Sequence, residues 1–456
     1  MNLNEQPDAA GSSDIAAPGR TDISEAPYPS PVLSWCIVAA LFVAYIFSFI
    51  DRMLIGLLVE PIKKDLLLTD TQVSLLQGFA FALFYTIAGI PLGRWIDRAP
   101  RMRLVALGIA VWSGMTVLCG TVTNFFQFFA ARMGVGVGEA VLSPAAYSVI
   151  SDSFPKNRLG LAMGIYGLGS AIGAGLAFMI GAVVIAAVAN AEAITVPVLG
   201  VIKSWQVAFL IAGLPGVFIA CVFLLLPEPV RRVTPGEEHL TGQVPMSAVI
   251  QYLKQNKVLF WCIFLAVGMI NLSVLGSISW LPVMMVRSFG MGLADAGWLS
   301  GSLLIIGGLI GMVGGGALMD RIGGGTAESR LKFCAWMTVI GIFGAAAFPL
   351  LDNKILMSVA FVLFFTAAAV AVGAAPSIIQ QLVANRMRAT ISAAYVFVIN
   401  IIGLGMGPTL TAVIGDNFFP FESGIRYAIA IVAPFGYIAG AILLFIAARN
   451  IRTHKN

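Results

Sequence analysis

Twelve apolar stretches, most of them separated by only a few polar residues, constrain this chain more than any other feature. They cover about 35–60, 72–96, 103–122, 124–150, 159–189 and 203–227, then about 257–286, 294–319, 331–350, 354–382, 388–415 and 424–448. Each approaches or exceeds the roughly 20 residues that a helix needs to cross a hydrocarbon core. With 59% hydrophobic and 11% charged residues, the chain carries too little polar surface for a water-soluble globule. The expected fold class is an all-α membrane protein of twelve transmembrane helices.

The chain also repeats itself at half-length. Gly93-Arg-Trp-Ile-Asp97-Arg98 and Gly316-Ala-Leu-Met-Asp320-Arg321 share one pattern, each after an apolar stretch and before a short basic loop. Ser143-Pro144 and Ala375-Pro376 echo each other, leading to Arg158 and to Arg386 and Arg388. Duplication of this kind predicts two pseudo-symmetric six-helix bundles, 31–227 and 257–449, joined by a linker over 228–256. The polar residues 1–30 lack the basic start and cleavage site of a signal peptide and read as a disordered cytoplasmic tail; 450–456 form a second tail. Within the linker, Met246 to Leu253 has the pattern of a short surface-lying amphipathic helix.

Placement of Lys and Arg sets the orientation. With both termini inside, inner loops and tails carry 19 of the 27 basic residues. Outer loops hold Lys63, Lys64, Lys203, Arg287, Lys354 and Arg426. The net charge of +5 therefore reflects topology, and no basic cluster has the form of a nucleic-acid face. The five cysteines stand singly within apolar stretches, and both histidines, His239 and His454, fall outside them. A disulfide framework, a zinc site, a cofactor and a nucleophile–base pair are all without a sequence basis, which excludes an enzyme. No outer loop offers a usable N-x-S/T site, which fits a bacterial inner membrane. The expected state is a monomer in the bilayer.

Ionisable residues at membrane depth are costly and therefore candidates for function. Four qualify: Asp51 and Arg52 on the first stretch, Arg132 and Glu139 on the fourth. A rise of about 1.5 Å per residue places Asp51 and Arg132 at similar depth, with Glu139 roughly 10 Å further in on nearly the same face. Asp51 is expected to meet Arg132 across the gap, with Glu139 below. The four charges cancel when ionised, and a protonated Glu139 leaves a net +1 that favours an anionic ligand. Proton coupling is thus assigned to Glu139 and Asp51, and ligand binding to Arg52 and Arg132; a packing pair of Arg132 with Asp51 is the alternative. Phe42, Tyr45, Phe49 and Arg52 recur on one helical stripe, with Phe79, Phe84 and Tyr85 similarly spaced on the second helix. Asn271, Ser273, Ser277, Trp280, Tyr395 and Asn400 offer neutral contacts from the second half. Gly93, Asp97, Arg98, Asp152, Arg158, Asp320 and Arg321 are candidates for a cytoplasmic gate of charge pairs.

The G-x-x-x-D-R elements resemble the loop 2–3 signature of the major facilitator superfamily, and Arg132-Met-Gly-Val-Gly-Val-Gly138 resembles its helix-four motif. The resemblance narrows with Phe49-Ile-Asp51-Arg52, Leu75-Leu76-Gln77, Gly138-Glu139-Ala140 and Ile150-Ser-Asp152-x-Phe154-Pro155, which look like the Spinster branch. It covers the first half well and the second only generally. It implies helices one and four lining a shared cavity, transport of lysophospholipids or sphingolipids, and proton coupling in some members. By the same resemblance Glu139 matches the helix-four acid, and Asp51 and Arg52 the helix-one pair. Arg98-Ala99-Pro100-Arg101 departs from the Gly or Asn usual after D-R, which bears on the loop turn. The expected function is a secondary transporter of a lipid-like anionic amphiphile. A proton-linked carrier of a small organic anion is the alternative, and a non-transporting scaffold is the third.

Overall fold

The computed structural model describes residues 28–96, 98–188, 194–196, 200–231, 246–322, 326–383 and 385–453. Twelve helices in it are long and apolar enough to cross a membrane. They are α1 (Pro31–Leu57), α2 (Asp70–Gly89), α3 (Arg101–Cys119), α4 (Phe125–Ser153), α5 (Leu161–Ala187) and α6 (Ser204–Leu225). The second half supplies α7 (Lys257–Phe289), α8 (Leu293–Met319), α9 (Ala327–Ala347), α10 (Lys354–Leu382), α11 (Thr390–Phe418) and α12 (Gly424–Ile451). The helix of α2 runs on to Ile96. A short helix, Val59–Leu66, follows α1, and another, Met246–Gln255, precedes α7. One departure from an all-helical chain is an antiparallel ribbon between α5 and α6, Ile194–Val196 with Gly200–Ile202. The tail 1–27 and the linker segment 232–245 lie outside the described residues.

The repeat seen in sequence is a repeat in packing. In the first half α3 packs against α4 and α6; in the second α9 packs against α10 and α12. Small residues set these seams, because lipid gives no hydrophobic drive for helix association and close backbone approach must supply the contact.

The halves meet where α1 touches α7 and along two seams, α2 with α11 and α5 with α8, both of them closed only at the end far from the chain termini. On α5, Gly175 is pressed against Gly301 and Ile305 of α8. Gly164 lies eleven residues earlier, three turns away on nearly the same face, and a Cβ there would meet nothing within 4 Å. The other seam behaves identically. Gly78 of α2 touches the main chain of Leu404 on α11, whereas Gly89, again eleven residues along, has no neighbour within 4 Å. The two bundles therefore diverge toward the face that carries both termini.

Polar locks hold the opposite, distal face. Arg287 at the end of α7 reaches across to the first half, donating from Nε to Glu60 at 2.6 Å and from both Nη atoms to Asp70 at 2.6 and 2.9 Å. Lys63 shares the Asp70 carboxylate. Beside them the main-chain N–H and the hydroxyl of Thr71 donate to Asp416 of α11 at 2.9 and 2.7 Å. Among the described residues, π-helical turns occur at Leu75–Phe79 in α2, Ile310–Gly314 in α8 and Asn400–Met406 in α11. All three belong to the seam helices, where such turns bend a helix locally.

Candidate functional site

Local sequence explains how the four intramembrane charges come together. Pro144 cannot donate a hydrogen bond, so α4 breaks into Phe125–Glu139 and Leu142–Ser153, with the break directly after Glu139. The glycines upstream bring α4 against its neighbours: Gly136 lies on the main chain of Phe81 in α2, and Gly138 on that of Trp112 in α3. Glu139 is thereby set in the wall facing α1.

The central contact is an ion pair between Arg52 and Glu139. Nε and Nη2 of Arg52 both lie 2.6 Å from Glu139 Oε2, and the Ser48 hydroxyl donates to the same oxygen at 2.5 Å. Three donors thus converge on Oε2, while Oε1 is buried with no hydrogen-bond partner among the described residues. Three rings surround the guanidinium, with centroids at 5.0 Å for Phe49, 4.6 Å for Phe81 and 5.1 Å for Tyr85. The Arg52 side chain keeps 12% exposure, against none for the Glu139 side chain. Arg52 is therefore the one of the four that reaches the open space.

Arg132 and Asp51 sit behind that wall, and the expected ion pair between their side chains is not formed. Arg132 is fully buried. It donates instead to main-chain carbonyls, from Nε to Leu76 and from Nη1 to Asp51, each at 3.2 Å. The Asp51 carboxylate is turned away and accepts from Thr116 of α3 at 3.1 Å, and its Oδ1 has no partner among the described residues. Arg132 thus meets Asp51 through its backbone and not its carboxylate, and a helix turns about 100° between Asp51 and Arg52, so the two side chains face different neighbours. One ring joins the two layers: Phe81 lies 4.6 Å from Arg52 and 5.7 Å from Arg132, stacked between two cations.

The other expected contacts divide. Tyr45 and Phe49 are half-buried and meet edge to face at 5.1 Å. Asn271 and Asn400 are half-buried on the α7 and α11 sides. Trp280 is not at the cavity: it is fully buried, and its indole N–H donates to the Pro408 carbonyl at 3.0 Å, tying α7 to α11. Tyr395 is buried against Phe264, and its hydroxyl has no hydrogen-bond partner among the described residues. Ser273 bridges α7 to the Val432 carbonyl of α12 at 3.2 Å. Phe81, Ser48 and Thr116 were not anticipated. Phe81 was legible in principle, since it stands four residues before the candidate Tyr85 in regular helix and the two rings lie 5.4 Å apart on one face.

At the terminal rim the ion-pair cluster that forms is centred on Arg101, a residue outside the expected gate set. Asp152 pairs with Arg101, a buried side chain that further donates to Glu228 at 2.7 Å, to Ser148 at 2.8 Å and to the Pro229 carbonyl at 2.7 Å. These contacts stay within the first half and fasten the chain after α6 beneath α3 and α4. Arg98, Arg158 and Arg321 are exposed. Gly93 stands near the end of the α2 helix with nothing near it. Asp97 and the side chain of Asp320 lie outside the described residues.

A buried carboxylate, a partly exposed arginine and an opening between two matched bundles are the features of a membrane carrier. The family model "Major Facilitator Superfamily" matches residues 41–408, and the chain belongs to that family. It is a secondary transporter and not an enzyme. Its structure resembles that of a bacterial homologue of the human lysosomal transporter Spinster, solved inward-facing and unoccupied. The TM-score is 0.75 at 25% identity, over 92% of this chain and 97% of that one. In sequence it is 27% identical to an MFS-type efflux pump of Mycolicibacterium smegmatis, over 94% of this chain and 96% of that protein. It is also 27% identical to a probable L-galactonate transporter of Escherichia coli, over 84% of this chain and 83% of that protein.

Proposed function

We propose that the chain carries an anionic amphiphile of the lysolipid type across a bacterial inner membrane, coupled to protons through Glu139. The observation that carries this reading is Arg52, a guanidinium boxed by three rings and bound by a single carboxylate oxygen at the edge of the open space. An anionic headgroup and the Glu139 carboxylate compete for the same guanidinium. Protonating Glu139 weakens its hold on Arg52, and a bound anion in turn favours the protonated acid; by linkage each promotes the other's binding to the same degree. The unpartnered Oε1 gives the proton a place to reside. The two therefore travel together, and the carrier is a symporter in this account.

Arg132 has a different part: it braces the Asp51 backbone and Leu76, fixing α1 and α2 against α4. Asp51, buried with one hydroxyl partner, is the second proton site. The excess of basic residues on the terminal face supports placing that face in the cytoplasm. The open side is then inward, and the Arg287, Glu60 and Asp70 lock is the closed outer gate. Rocking one bundle against the other about the seams would exchange the two states.

The galactonate relative supports a second reading, a proton-linked carrier of a small organic acid, because Arg52 would bind a carboxylate as well as a phosphate. Flux into proteoliposomes decides between them, using fluorescent lysophosphatidylglycerol and galactonate with and without a pH gradient. The lysolipid reading expects gradient-dependent flux of the lysolipid, poorly competed by galactonate. Saturable galactonate flux without lysolipid movement would replace it with the second reading.

A further inference from the structure

One large aromatic residue on the cavity side of α4 has no part in the exchange at Arg52. Tyr147 is 51% exposed. It lies eight residues beyond Glu139, roughly 12 Å closer to the terminal face. Its ring meets Tyr166 of α5 edge to face at 5.7 Å. It also stands within electrostatic reach of Tyr85 on α2 and of Tyr395 on α11. Neighbours from α2, α5 and α11 enclose only the space between the bundles, so the exposed ring faces the cavity and not the lipid.

From Tyr147 the rings continue inward without a break. Tyr166 stacks on Tyr45 at 4.5 Å, Tyr45 meets Phe49 at 5.1 Å, and Phe49 lies 5.0 Å from the Arg52 guanidinium. Tyr166 is fully buried and donates to Ser143 at 3.4 Å, which fixes the middle of the series. The result is a rigid aromatic wall with a cation at its buried end and a free ring at its mouth. A carrier of compact acids would need the cation alone.

We infer that Tyr147 is a specificity-determining residue of the transport site, taking the apolar chain of an amphiphile on its ring while Arg52 holds the anionic end. The inference rests on the lysolipid reading above. It is tested by flux of lysophosphatidylglycerol with short and long acyl chains, alongside chainless glycerophosphoglycerol as competitor. Wild-type protein is compared with Tyr147→Ala and Tyr147→Phe, each checked for folding by thermal unfolding. Tyr147→Ala is expected to raise KM for the long-chain ligand roughly tenfold, leaving kcat and the chainless competitor's inhibition constant within twofold. Tyr147→Phe should behave as wild type, since the ring face makes the contact. An equal loss for long-chain and chainless ligands, or no change for either, would overturn the assignment. A wild-type protein that moves no acylated ligand overturns the lysolipid reading and this assignment together, and the wild-type arm alone reveals it.

Discussion

Glu139 accepts three donors on one oxygen and none on the other, and this asymmetry ties its proton to the state of Arg52. Glu139→Gln keeps the shape but removes both the charge and the proton site. Exchange of labelled ligand should survive in that variant while the response to a pH gradient is abolished; a wild-type response in a proteoliposome flux assay would remove Glu139 from the coupling. Arg52 and Arg132 are expected to separate cleanly on substitution. Arg52→Ala should weaken anionic ligands by at least tenfold relative to neutral analogues, read by competition binding, because the charge-assisted contact is lost. Arg132→Ala should chiefly destabilise the fold, by about 2 to 4 kcal/mol, since it empties a fully buried site and removes the side chain that ties α1 and α2 to α4. Arg132→Lys should rescue little of this, because a lysine cannot span both acceptors. Thermal unfolding in detergent measures the difference; equal stability of Arg52→Ala and Arg132→Ala would contradict the division of roles.

At the scale of helices, the site depends on how closely α4 approaches α2. A Cβ on Gly136 would come within 2.6 Å of the Phe81 carbonyl, a contact backbone cannot yield to. Gly136→Ala should therefore cost about 1 to 3 kcal/mol and displace Phe81 from Arg52, lowering both melting temperature and ligand affinity. An unchanged affinity would mean that the Phe81 ring is dispensable. Hydropathy located all twelve spans, because each must be long and apolar enough to cross the same hydrocarbon thickness. Facing was less legible. Which of two adjacent residues, Asp51 or Arg52, points its side chain at Glu139 of α4 turns on a step of about 100° that a boundary error of one residue blurs. Trp280 and Ser273 looked like cavity contacts because nothing in a sequence distinguishes a polar atom facing water from one bonded to the next helix.

For the whole molecule, the state is set by where the bundles touch. Closure at the distal face rests on Arg287 with Glu60 and Asp70, and on Thr71 with Asp416, contacts between residues more than 200 positions apart in sequence. Such long-range pairs left no trace in local motifs, whereas the duplicated Gly93 and Gly316 segments announced the two-bundle plan directly. Arg287→Ala removes the shared cation, and distances between spin labels across the distal face should lengthen; an unaltered distribution would show that the seams alone hold that face shut. The account as a whole rests on one guanidinium shared between a proton-bearing carboxylate and an anionic ligand. Its most direct test is proton uptake by purified protein in weakly buffered solution on addition of lysophosphatidylglycerol, whose phosphodiester charge is fixed near neutral pH. Wild type should take up protons as ligand saturates and Glu139→Gln should take up none; ligand binding in wild type without proton uptake, or equal uptake in the variant, would contradict it.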